Sequence, residues 1–83
     1  MLLNTLKDEQ VYFKSTLIEC LQEVKIRSGK PIPTTYKSIQ RREKQKIAVY
    51  LSIHRDPSNA WRMYTGKQIK DIVAYELEQK NDK

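Results

Sequence analysis

Eighty-three residues, 39% hydrophobic and 31% charged, make one small domain, too short for a large core and too apolar for a disordered chain. Its single cysteine excludes an intrachain disulfide, and no apolar run approaches the roughly 18 residues of a membrane span. The net charge of +6 is concentrated in the middle: residues 25–46 hold eight Lys and Arg against Glu43 alone, while residues 1–24 and 71–83 are each mildly acidic.

The first helix is expected from about Thr5 to Ile26. At about 100° per residue, Leu3, Leu6, Phe13, Leu17, Leu21 and Val24 fall on one arc with Cys20 at its edge. Thr5 and Asp8 have the spacing of a capping box, and the acids Asp8 and Glu9 interrupt the N-terminus too early for a signal peptide. "RSGKPIP" is a stop, with Gly29 suited to a left-handed cap and Pro31 shortly after it. Thr34 or Thr35 then caps a second helix reaching to about His54. Its apolar face is Tyr36, Ile39, Ile47, Tyr50, Leu51 and His54, with Glu43 inside that arc. "RDPSNAW" breaks this helix; Asp56 as N-cap and Pro57 as first helical residue predict a short helix through Trp61 and Tyr64. Thr65 and Gln68, again at capping-box spacing, open a last helix with Ile69, Ile72, Val73 and Leu77 on one side.

No alternating pattern competes with these helical periods. The expected fold is therefore all-α: a single domain over 1–83, built as a small three-helix bundle with an additional short helix. The first two helices would form an antiparallel hairpin, and 77–83 would be a frayed tail.

On the second helix Lys37, Arg41, Lys44 and Arg55 share an arc of about 60°, opposite Ile39 and Tyr50, with the small residues Ala48 and Ser52 between them. Arg42 flanks the apolar face, and Lys30 near the first loop extends the same basic end. A merely soluble helix normally intersperses acids for i,i+4 pairing, and this one scarcely does. Long cations around small residues suit a phosphate backbone, so Lys30, Lys37, Arg41, Arg42, Lys44 and Arg55 are the expected nucleic-acid contacts.

Four other residues suit a partner contact: Tyr12, Trp61, Arg62 and Tyr75. Aromatics beside Arg62 can stack on bases or anchor an interface, although a lone Trp in so small a chain is expected to plug the core. Glu43 is expected at the core margin with a wet carboxylate, the alternative being a buried acid held by Arg42, Lys46 or a basic residue of another helix. His54 has no nearby Cys and suits a helix end better than a metal site. Cys20 shares its face with Leu17, Leu21 and Val24 and reads as a small core hydrophobe. "SGKP" and "TGKQ" lack the flanking residues of a phosphate-binding P-loop, and no nucleophile–base pair or metal cluster is legible. Neither catalysis nor a cofactor is expected.

The composition thus favours a small basic, non-catalytic nucleic-acid-binding protein of a reducing, cytoplasmic compartment, regulatory or accessory in transcription, with DNA ahead of RNA as partner. "GKPIPTTYKSI" has the form of a turn opening a reading helix, as in winged-helix domains, but no wing strands are legible. The rival is a protein-binding adaptor or inhibitor that docks on an acidic host protein, as small charged phage and mobile-element proteins do. Homodimerisation through Tyr75 or leftover apolar surface fits either role, and no membrane partner is expected.

Overall fold

A computed structural model of the chain describes residues 1–79. After a 3-10 turn at Leu2–Thr5 come strand β1 (Val11–Phe13), helix α1 (Lys14–Ser28) and helix α2 (Tyr36–Lys44). A second 3-10 turn (Ala48–Tyr50) leads to β2 (His54–Arg55), β3 (Arg62–Thr65) and helix α3 (Gly66–Glu78). The strands form one antiparallel sheet in the order β1-β3-β2. Tyr12 lies opposite Tyr64, and Arg55 opposite Arg62. The fold is α+β, which overturns the expected all-α helical bundle.

The corrections follow from where helices begin and end. The first helix starts at Lys14, nine residues later than Thr5, because the chain before it is a strand paired with β3. Thr5 caps nothing there; its hydroxyl donates to the Leu2 carbonyl. Phe13, placed on the core arc by the helical wheel, is the last strand residue and is 57% exposed. The stop is as expected: Gly29 sits at φ 72°, and its N–H caps the Lys25 carbonyl at 2.9 Å.

Helix α2 starts at Thr35 as expected, with a reciprocal capping box. Thr35 Oγ accepts from the Ser38 N–H at 3.1 Å, and Ser38 Oγ accepts from the Thr35 N–H at 3.0 Å. It ends at Lys44, ten residues short of His54, where Lys46 takes φ 58° and turns the chain away. The expected helical hairpin is absent as well, since α1 packs against α3.

"RDPSNAW" forms no helix. Asp56 and Pro57 open a tight turn in which Ala60 N–H reaches the Asp56 carbonyl at 2.7 Å, and Asp56 N–H reaches the Trp61 carbonyl at 2.9 Å. This turn joins β2 to β3 as a hairpin. Thr65 caps α3 as expected, accepting from the Gln68 N–H at 3.0 Å. That helix runs through Glu78, and residues 80–83 of the expected frayed tail lie outside the described residues.

Leu17, Cys20, Leu21 and Val24 of α1 meet Ile69, Ile72 and Val73 of α3 in the core, which Ile39, Tyr50 and Tyr64 complete. Cys20 is fully buried, as its arc predicts. No helix among the described residues is long and apolar enough to cross a membrane.

Candidate nucleic-acid interface

Helix α2 is short and strongly two-sided. Ile39 is buried, and Lys37, Arg41 and Lys44, spaced i, i+4 and i+7, are exposed. Among the described residues none of these three cations has a carboxylate within ion-pair distance. The stripe predicted on this helix therefore exists, but it is shorter than expected. Ala48 and Ser52 do not belong to it, and Ser52 is buried with its hydroxyl donated to the Met63 carbonyl.

Arg55, expected on the same helix, stands on another element. It is exposed on β2 and pairs across the ladder with Arg62, so the two side chains share one face of the sheet. Both guanidinium groups donate to the Ser52 carbonyl, at 3.3 and 3.2 Å. Arg62 also lies 3.4 Å from Glu43 of α2, which shows that this sheet face looks toward the helix.

Two of the expected phosphate contacts are committed internally. Arg42 Nε sits 3.0 Å from Glu76 Oε2, and that bond holds the guanidinium pKa above its ordinary value. Lys30 Nζ donates to the Leu77 carbonyl near the end of α3, where the unpaired carbonyls of a helix C-terminus favour a cation. Neither belongs to the free basic surface.

Of the two alternatives Glu43 is the held acid, half-buried with its side chain 9% exposed, and it is tied not by Arg42 or Lys46 but by Lys14 of another helix and by Arg62 of β3. Its carboxylate accepts from the Tyr64 hydroxyl and lies 3.5 Å from Lys14 Nζ and 3.4 Å from Arg62 Nε. Burial, then the bond to Glu43, pushes the Tyr64 pKa well above its ordinary value. This knot ties α2 to the start of α1 and to β3. It sets the angle at which the helix meets the hairpin.

Of the expected partner contacts, Trp61 is the clearest. It is 62% exposed, the reverse of a core plug, and meets Tyr36 edge-on at 6.4 Å between ring centroids. Tyr12 is half-buried on β1, and its hydroxyl accepts from the Lys7 N–H at 2.9 Å. Tyr75 is half-buried, with its ring edge-on to Tyr50. Tyr36, Phe13 and Lys14 were not singled out as contacts. A wheel assigns the two aromatics to an apolar face, and only the strand before α1 and the hairpin beside α2 turn them outward. The legible signal was Trp61 itself, a large ring inside a polar turn segment.

Comparison with protein-family models, with curated proteins and with solved structures finds no match for this chain. Among the described residues there is no group of three or more His, Cys, Asp or Glu that could hold a metal ion.

Proposed function

We propose that this chain is a DNA-binding protein, regulatory or accessory, that lays α2 and the β2–β3 hairpin against the phosphate backbone. The observation that carries the reading is the set of four exposed cations, Lys37, Arg41, Lys44 and Arg55, with no acid paired to them among the described residues. A helix preceded by another helix and flanked by a β-hairpin is the arrangement of winged helix-turn-helix domains, and here that is an analogy of shape. The loop between the helices, residues 29–35, is longer than the three or four residues of the tightest such motifs. Its two ends are set by the Gly29 C-cap and the Thr35 N-cap.

The test is binding to unrelated duplexes across a salt series. Four phosphate contacts release counterions to give a slope of log affinity against log salt near −3.6, from about −0.9 per contact. Absence of binding at low salt overturns the reading.

A second reading, a protein-binding adaptor, is favoured by a different surface. Ile53 is 92% exposed and Leu51 45% exposed beside β2, one of the two edge strands of the sheet. An open strand edge with apolar side chains outward is a template for another chain. On that reading an acidic protein competes with DNA for the basic stripe, and Ile53→Lys abolishes its capture without changing the salt slope on DNA.

A further inference from the structure

The hairpin does more than carry Arg55. Trp61, Tyr36 and Phe13 are 62%, 51% and 57% exposed, and all three rings line one concave region between the start of α1, the start of α2 and the hairpin. Two adjoining hollows of about 390 and 180 Å³ meet there and share Lys14, Tyr36, Trp61 and Arg62 as walls. The larger lies within the range of about 300–1,000 Å³ typical of small-ligand sites.

Three exposed aromatics clustered on so small a domain expose apolar surface that folding alone would hide. The Trp61 backbone is held in the turn: its main-chain N–H donates to Asn59 Oδ1 at 3.0 Å, and its carbonyl accepts from the Asp56 N–H at 2.9 Å. Tyr36 meets the Trp61 ring edge-on at an interplanar angle of 63°, so the two rings are not stacked face to face. The result is a cleft walled by exposed aromatic rings.

Charge decides what enters it. The lining carries Lys14 and Arg62 against Glu43 and Asp56, a balanced set, and Lys37 of the basic stripe, exposed one residue after Tyr36 with no ion-pair partner among the described residues, adds a free positive charge beside it. A flat, neutral ring attached to a polyanion is favoured.

We propose that the Tyr36–Trp61 cleft binds an unpaired nucleobase at the edge of a duplex, stacking it on Trp61 while the free Lys37 lies near a flanking phosphate. This inference rests on the DNA-binding reading and adds a substrate class to it: duplex DNA with a single-stranded extension. Base stacking on an aromatic side chain is worth about 1–3 kcal/mol, or a factor of at least about five in affinity.

Trp61 is the only tryptophan in the chain, so its emission reports on the cleft directly. The full chain is titrated with two DNAs of equal duplex length, one blunt and one with a short single-stranded overhang. Binding is followed by anisotropy of the labelled DNA and by Trp emission. The expected result is at least about fivefold tighter binding of the overhang DNA, with quenching specific to it. Trp61→Ala brings the affinity ratio of the two DNAs to about one, and Trp61→Phe keeps most of it. Equal, salt-dependent binding of both DNAs by the unaltered protein overturns the base site and leaves the duplex reading standing. A ratio unchanged in a folded Trp61→Ala protein overturns the assignment to this cleft. Failure of both DNAs to bind overturns the two readings together.

Discussion

Arg42 Nε and Glu76 Oε2, 3.0 Å apart, join the last turn of α2 to the buried side of α3, and Tyr50 donates its hydroxyl to the same carboxylate oxygen. The Glu76 side chain is 3% exposed, so its charge is held in a poor solvent by these two partners. Replacing one partner of such a buried group is costly, because the other is left uncompensated. Glu76→Ala is expected to destabilise the fold by about 3–5 kcal/mol in chemical denaturation.

Arg41 and Arg42 are adjacent in the chain and opposite in role. Arg41→Ala should leave the unfolding midpoint nearly unchanged, since Arg41 is exposed and Ala is the best helix former. On duplex DNA it should flatten the salt slope by about 0.9. Arg42→Ala should do the reverse, lowering stability while leaving the slope of the folded protein unaltered. Equal slopes for wild type and Arg41→Ala would remove α2 from the interface.

Alkali probes the two buried tyrosines. Burial, followed by the hydrogen bonds to Glu76 and Glu43, raises the pKa values of Tyr50 and Tyr64 well above the ordinary 10.0. Above pH 10 the unfolded chain therefore loses protons that the folded chain keeps. Their stabilising contribution is full below the unfolded value and falls as pH rises past it. The expected decline is about 1.4 kcal/mol per pH unit for each tyrosine, roughly twice that for both. Tyr50→Phe and Tyr64→Phe should each remove about half of the slope in denaturant titrations between pH 10 and 12.

Cys20 should be inert in the native protein. Burial, with Glu23 and Glu19 adding negative charge, pushes its thiol up to about 11. At pH 8 only about one thiol in a thousand is then ionised, and the side chain is fully buried besides. Labelling by a thiol reagent should proceed at the rate of unfolding and accelerate sharply in denaturant.

Gly66 marks a close crossing of two chain segments. A Cβ there would lie 2.7 Å from the carbonyl carbon of Lys7, a backbone atom that cannot swing aside. The same crossing supplies the bond from Gly66 N–H to the Gln10 carbonyl at 2.9 Å. Gly66→Ala is expected to lose about 3 kcal/mol, the upper part of the range for overpacking. Gly29→Ala meets nothing within 4 Å and carries only the strain of φ 72°. Its loss should be about 1–2 kcal/mol.

Local chemistry in the sequence determined three boundaries. Gly29 ends α1, Thr35 begins α2 and Thr65 begins α3, because a left-handed glycine and a hydroxyl cap act on backbone groups only a few residues away. The free stripe of Lys37, Arg41 and Lys44 was legible for the same reason, since one helical period fixes it. The sheet was not. β1 and β2 have three and two residues, too short for alternation to register, and what makes them strands is β3 pairing with both. "DPSNAW" carries signals that serve a helix start and a tight turn equally, and pairing across the hairpin decides for the turn. No residue type announces the end of α2 either, because Lys46 stands where glycine usually does. Glu43, Tyr64 and Arg62 hold that helix end against β3 from 19 or more residues away in sequence, as do Arg42 and Glu76 against α3. Such long-range bonds turned Arg42 and Lys30 inward and Trp61, Tyr36 and Phe13 outward, and only the tertiary structure contains them.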